Sequence, residues 1–411
     1  MTKYIAIIIL SLFISCTSQK ENSDKRIIPV AEVIGTGEIL NLSNCAKSVR
    51  YIPLETNDTT LIAGISSIYK LGEMFLVQDY RRGATSQCFL YDKHGKYIRQ
   101  IGKKGPGPDE YTLIRSVDVR PNTNTIFMDV NTKCMEYDTN GNMTKHIRMP
   151  ECPDKMTIWE SVQINDSIYL STLTSSLHRH YKALLFNMEG KTTMLYPNHL
   201  GRIKNERGWG SSDGKYYRFK DQIRLWRSWD DTIFTINKKL EPEVAYIFDM
   251  GPYKAPMEWM ESYRTDYDRT NYVFPYAIKE SSKYLFLNFQ CGQNAPEKYE
   301  YEITSTSPGM QQKRTLVNVD VFGLFNKSTG KLTLLNQPVK HKYLGFRNDL
   351  DGGPCFWPIY ISPDEEMVTW FSADKFLEIY ETLPNPSPEL KALAEKLIPD
   401  DNPVLMIVQL K

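Results

Sequence analysis

Apolar and polar positions alternate in short runs along much of this chain, and one arrangement of them recurs. An alternating run, a polar turn ending in glycine and a second alternating run occur first at Phe89-Leu-Tyr-Asp-Lys-His-Gly95-Lys-Tyr-Ile. Met135-Glu-Tyr-Asp-Thr-Asn-Gly141 follows 46 residues later, and Leu184-Leu-Phe-Asn-Met-Glu-Gly190 after another 49. Phe322-Gly-Leu-Phe-Asn-Lys-Ser-Thr-Gly330 is a fourth copy, while Thr232-Ile-Phe-Thr-Ile-Asn-Lys-Lys-Leu240 is a degenerate one without the glycine. Period-two alternation marks strands. Asx followed by Gly supplies the positive φ of a tight turn, so each copy predicts a β-hairpin. A repeat of about 40–50 residues with four short strands is the pattern of a propeller blade.

The spacing predicts six blades, over 62–102, 115–150, 158–197, 212–251, 278–336 and 345–411. The last has Phe356–Ile361, Met367–Phe371 and Val404–Leu410 as strands, and Ser48–Leu54 from the N-terminus completes it. A ring closed by strands from both chain ends leaves no open sheet edge. The expected fold is therefore all-β: a six-bladed β-propeller of four-stranded antiparallel blades over residues 39–411. Two helices interrupt it, one from Pro388 to Leu397 with Ser387 as N-cap and one from Pro256 to Tyr267.

Ahead of the repeat, Lys3 precedes an apolar stretch from Tyr4 to Ile14, broken only by Ser11 and closed by Ser15-Cys16. This is the layout of a secretory signal. It is too short to span a bilayer, which takes about 20 apolar residues. The Ser15-Cys16 ending resembles the lipobox of bacterial lipoproteins. That resemblance implies a signal peptide over 1–15, cleavage before Cys16, and a lipid on Cys16 that holds the chain to the membrane. Residues 16–38 are polar and aperiodic and read as a flexible tether. Within them Gln19-Lys20-Glu21 is similar to the short signal that sends some Bacteroidetes lipoproteins to the outer face of the cell.

Two further motifs carry a family resemblance: Ile101-Gly-Lys-Lys-Gly-Pro-Gly-Pro-Asp-Glu-Tyr111 and Asp349-Leu-Asp-Gly-Gly-Pro-Cys-Phe-Trp-Pro358. With the hairpin repeat, they make the chain similar to the six-bladed β-propeller lipoproteins of Bacteroidetes, relatives of the NHL-repeat propellers. The resemblance spans residues 40–411 and implies a fold and a place in the cell envelope as an outer-membrane lipoprotein. It implies no catalytic set.

Composition narrows the function classes. Without Lys3, the 50 basic residues become 49 against 49 acidic ones, so the mature chain has no formal net charge. That balance gives no electrostatic footprint for nucleic acid. Cys45, Cys88, Cys134, Cys152, Cys291 and Cys355 are scattered without a CxxC pair. In a chain long enough to bury a large core they read as buried thiols.

No residue set in the sequence names a reaction. Gly102–Gly107 lacks the Lys-Ser/Thr and the helix of a phosphate loop; its prolines and glycines suit a rigid crossing between blades. Asp349 and Asp351 beside Gly352-Gly353 resemble the start of a calcium loop, but Arg347 and Pro358 fill the first and last EF-hand ligand positions. The bland alternative is carboxylates accepting backbone N–H groups in a glycine-rich turn. Apart from calcium there, no cofactor is evident. His178 and His180 share a strand face without a visible third ligand. Asp58-Thr59-Thr60, Asp166-Ser167-Ile168 and Asp231-Thr232-Ile233 are similar to a Bacteroidetes O-glycosylation sequon.

The densest recognition chemistry runs from Arg202 to Trp229, with Arg207, Trp209, Tyr216, Tyr217, Arg218, Arg224, Trp226, Arg227 and Trp229. Arginine and tryptophan together suit contact with a sugar, peptide or protein. Trp259, Tyr263, Tyr267 and Tyr272 offer an adjoining wall. The expected ligand-binding residues are thus Arg207, Trp209, Arg224, Trp226, Arg227, Trp229, Asp349 and Asp351. The expected activity is binding or scaffolding of an extracellular glycan, peptide or protein. The alternative is a hydrolase or lyase acting on an extracellular polymer at the channel mouth.

Overall fold

The computed structural model describes residues 26–80, 86–120, 122–153, 156–173, 180–198, 215–227, 230–256, 269–296, 298–307, 310–336 and 345–411. Six antiparallel four-stranded sheets follow one another around a ring. Their innermost strands are Ile65–Leu71, Ser116–Arg120, Ile158–Gln163, Lys215–Phe219, Phe274–Glu280 and Tyr360–Ile361. The outer strands of the first five blades end at Ile101, Arg148, Pro197, Phe248 and Leu334. Blade six is closed from the N-terminus: Ala46–Pro53 pairs with Val404–Leu410, from Ala46 opposite Leu410 to Pro53 opposite Val404.

Six apolar clusters, one between each pair of neighbouring blades, hold the ring. Blades one and two share Leu76, Leu90, Ile126 and Met128. Phe127 and Tyr169 join blades two and three. The circle shuts where Phe75 and Val77 of blade one meet Val368 and Leu405 of blade six. A blade's middle strands are covered on both faces, so they become continuously apolar, as in Phe89-Leu-Tyr and Leu184-Leu-Phe, whose residues are all buried.

The repeated hairpins join the third and fourth strands of blades one to five. In each, an Asx carbonyl accepts the turn N–H while its side chain accepts further along. Asp92 Oδ1 takes the N–H of His94 at 2.8 Å and of Lys96 at 2.9 Å. Gly95, Gly141, Gly190 and Gly330 all have positive φ, and Leu240 takes the same conformation at φ 67° in the copy without glycine. Asn237 holds that turn by accepting from Lys239 and Glu241 at 2.8 and 3.0 Å.

Three sequence expectations need correction. Phe356–Ile361 is not one strand: only Tyr360–Ile361 pairs as such, and Phe356 makes a single bridge with Phe346. Pro354 and Pro358 lack the N–H a ladder needs. Residues 26–38, expected to belong to the tether, pack on the ring. Ile27–Ile28 adds a parallel strand to blade four, and Ile28 and Val30 are fully buried between blades four and five. A hairpin, Tyr299–Ser307 with Met310–Asn318, is inserted in blade five. The helix at Pro388–Ala394 carries the expected Ser387 cap, donated to by Leu390 N–H at 3.2 Å; a second helix, Ala373–Tyr380, gave no recognised signal. The expected helix over 256–267 falls almost wholly outside the described residues.

Candidate functional site

All six innermost strands contribute to one cavity of about 330 Å³ on the ring axis. Its wall is polar. Ser67, Tyr69, Ser116, Asp118, Glu160, Tyr216, Arg218, Lys279 and Tyr360 line it. In an inner strand one face packs on the neighbouring blade while the other turns to the axis. On the fifth blade, Ile278 packs into the core between blades four and five and Glu280 reaches Tyr217 of blade four, so Lys279 between them faces the channel. A bulge at Ile158/Glu160 breaks the pairing register at Glu160.

Most polar groups of the wall already have partners. Tyr69 donates its hydroxyl to Val117 O at 2.5 Å, and Tyr216 to Ser161 O at 3.3 Å. Tyr360 accepts from Lys70 N–H at 3.2 Å. With their hydroxyls tied to backbone, the three tyrosines offer ring surface. Burial holds the hydroxyls of Tyr69 and Tyr216 well above the usual phenol range. Arg218 grips Asp118 and also donates to Gln163 O at 2.6 Å.

Lys279 differs. The Lys279 ammonium makes neither a hydrogen bond nor an ion pair with a described residue. Burial, then the charge of Lys215, push its pKa below the lysine range, and Glu160 opposes them. Burial raises the Glu160 carboxyl, with Lys215 pulling the other way. The Lys215 ammonium itself donates to Tyr276 O at 2.7 Å.

Behind this wall lies a second charged cluster. Glu280, 6% exposed, accepts from Arg224 Nε at 3.0 Å, Lys327 at 2.7 Å, Tyr217 at 2.9 Å and Tyr246 at 3.1 Å. Burial works against its charge, but Lys327 and Arg224 hold its pKa below the carboxylate range. This cluster ties blade four to blade five.

Of the recognition segment singled out from sequence, Tyr216, Tyr217 and Arg218 line the cavity; the expected ligand-binding residues are scattered. Arg224 belongs to the Glu280 cluster. Trp226 is buried beneath the Lys215 ammonium, 5.3 Å from its ring. Arg227 is buried and donates to Asn198 Oδ1 at 2.8 Å. Asp349 accepts from Ser43 N–H at 2.9 Å and Ser43 Oγ at 2.6 Å, pinning the N-terminal segment. Asp351 accepts from Asn348 at 2.6 Å and from Gly353 N–H at 3.0 Å. Cys16, Arg207, Trp209, Trp229, Trp259, Tyr263, Tyr267 and His178 lie outside the described residues. Among the described residues no group of three or more His, Cys, Asp and Glu is placed to hold a metal ion. Glu160 and Lys279 drew no attention in the sequence. The usable signal was positional: a polar residue in the first strand of each repeat, where that strand faces the axis.

Six four-stranded antiparallel blades around a polar axial channel define a six-bladed β-propeller. The chain belongs to the DUF4934 family, a domain of unknown function, whose family model matches residues 25–409. Two solved structures from Bacteroides share the fold. One is a protein of Bacteroides fragilis NCTC 9343 that is thought to be exported, 18% identical, with a TM-score of 0.64 over 91% of this chain and 97% of that one. The other is a DUF4221 family member from Bacteroides vulgatus ATCC 8482, 11% identical, with a TM-score of 0.51 over 89% of this chain and 97% of that one. At such identities the likeness shows the fold alone. No curated protein matches the chain. Among the described residues no helix is long and apolar enough to cross a membrane.

Proposed function

We propose that this protein is a lipid-anchored binding module of the cell envelope, held by a lipid on Cys16, whose channel receives one end of an extracellular glycan or peptide. One observation carries the reading: all six blades send polar or aromatic side chains into a single cavity whose size falls at the small end of the small-molecule range. Rings such as Tyr69, Tyr216 and Tyr360 present flat amphipathic surface, which suits sugars and peptides. Replacing Ser67 by Trp fills the channel from its wall. In a glycan and peptide array, that variant should lose the signal of the parent while keeping its Tm; retained binding would sink the channel as the site. Cys16→Ala should move the protein from the membrane to the soluble fraction, and continued need for detergent would overturn the anchor.

A second reading, hydrolase or lyase action on a polymer, has one observation in its favour. An amine and a carboxyl, both shifted toward neutrality, face the same cavity, as acid–base pairs do. Product release from a polysaccharide panel, abolished by Glu160→Gln, would establish it. Binding without turnover favours the first reading.

A further inference from the structure

We propose that the Lys279 amine captures a carbonyl compound in the axial channel as a covalent imine, the ligand being an aldehyde or ketone such as the open-chain end of a sugar. This rests on the channel being the binding site and adds a covalent step to it. The charged groups that line the cavity differ in what already holds them. Arg218 and Asp118 pair with one another. Arg115 donates to Ile158 O at 3.1 Å and lies 3.7 Å from Asp129. Glu280 is held by Arg224 and Lys327. Glu365 accepts from the N–H and the hydroxyl of Ser282, at 2.9 and 2.8 Å. Lys220 is exposed in the turn after its strand, its ammonium 5.4 Å from the Phe219 ring. Lys279 is half-buried, and among the described residues its ammonium has no acceptor.

A lysine attacks a carbonyl carbon only as the neutral amine, and burial beside a second cation is a way to keep it neutral. Lys279 has both. The Lys215 ammonium, on the neighbouring inner strand, is fixed by donating at 2.7 Å to the carbonyl of Tyr276, which precedes Lys279 in its own strand. Burial and that cation lower the Lys279 pKa, and Glu160 opposes them.

The step balances without an oxidant or reductant. The nitrogen lone pair forms the C–N bond as the carbonyl π pair moves to oxygen, and one proton passes from nitrogen to that oxygen. The C–O bond of this carbinolamine then breaks, the nitrogen lone pair closes the C=N bond, and the oxygen leaves as water with the second amine proton. Glu160 faces the same cavity and its charge acts on Lys279, so it is the carboxyl available to relay both protons. The rings of Tyr69, Tyr216 and Tyr360 would flank the rest of a sugar.

The test is borohydride trapping on the full mature chain at pH 7.5 with glyceraldehyde, dihydroxyacetone and glycerol, read by peptide mass spectrometry. At least one of the two carbonyl compounds should mark Lys279 about 10-fold faster than exposed Lys93 and Lys331, or more, since a lysine of ordinary pKa is only about 0.1% neutral at that pH. Which of the two does so tells whether an aldehyde or a ketone is taken. Glycerol, which has no carbonyl, should mark none. The Lys279 rate should level off at lower pH than the rates of the exposed lysines, because the neutral amine is the reactive form. Glu160→Gln should slow the marking of Lys279 and leave Lys93 unchanged, although it removes the charge that opposes the neutral amine; an unchanged or faster rate overturns the relay. Lys279 marked by neither compound, or no faster than Lys93, overturns the inference; if Ser67→Trp still loses the array signal, the channel stands as a binding site. Marking of Lys279 that survives Ser67→Trp instead overturns the channel as the way in.

Discussion

Charged residues near the axis differ in whether the fold satisfies them, and this difference predicts opposite responses to substitution. Glu280 holds two cations and two tyrosine hydroxyls within the blade four–five contact. Glu280→Gln leaves Arg224 and Lys327 facing no carboxylate, which should cost about 3–5 kcal/mol. Its folded pKa lies below the unfolded one, so its contribution is present above the ordinary carboxylate range and is lost as pH falls through the folded value. Chemical denaturation of parent and variant should thus converge in acid. Lys279 is the reverse case. Its pKa is also depressed in the folded state, but here as a penalty on the charged form. The folded protein is relatively best off above the unfolded lysine pKa and loses ground as pH falls. Lys279→Met should therefore raise Tm at neutral pH, with a gain that fades toward pH of about 10.5. A neutral-pH loss of Tm would show that Lys279 is a structural residue. A group that destabilises its own fold is expected where function retains it.

The hairpins show how much an element owes to its surroundings. Gly95 and Gly330 have similar φ, 82° and 73°. A Cβ on Gly330 would meet nothing within 4 Å, whereas one on Gly95 would lie 2.1 Å from Pro53 O, in the closing strand of blade six. Gly330→Ala should cost about 1 kcal/mol of backbone strain. Gly95→Ala should cost clearly more than that, because the strand from the N-terminus has to move. Equal losses in urea unfolding would show that the contact with Pro53 is soft. Aromatic stacking makes the same point between blades. Trp357 lies 4.5 Å from Phe322 at an interplanar angle of 11° and donates to Asn288 Oδ1 at 2.9 Å. Trp357→Ala should cost about 3–5 kcal/mol, read from the same unfolding curves.

At the scale of the whole molecule, stability depends on closure. Removing residues up to 53 strips the partner of Val404–Leu410 and bares an apolar sheet edge, the condition for edge-to-edge association. Size-exclusion chromatography should show aggregates. Removing residues only up to 40 keeps the closing strand but loses Ile28 and Val30, both fully buried, at about 1.5–3 kcal/mol each. That variant should stay free of aggregates with a lowered Tm.

Fold and site were unequally legible. Hairpins are local: Asp92 to Lys96 is one turn with its own hydrogen bonds, so its pattern repeats visibly wherever a blade occurs. Closure by Ser48–Leu54 was legible too, because a sixth blade counted from the repeat lacked a strand. The site was not. Arg224 and Trp226 stand in a segment rich in recognition chemistry, yet the strand places one against Glu280 and the other beneath Lys215. Glu160 and Lys279 are 119 positions apart and gain meaning only from sharing the axis. Short-range alternation and turn chemistry determine the blade from sequence alone, since every force they need acts within a few residues. Which polar side chains meet, and which charge remains unmatched, depends on six separate strands converging at one axis, and only the tertiary structure decides it.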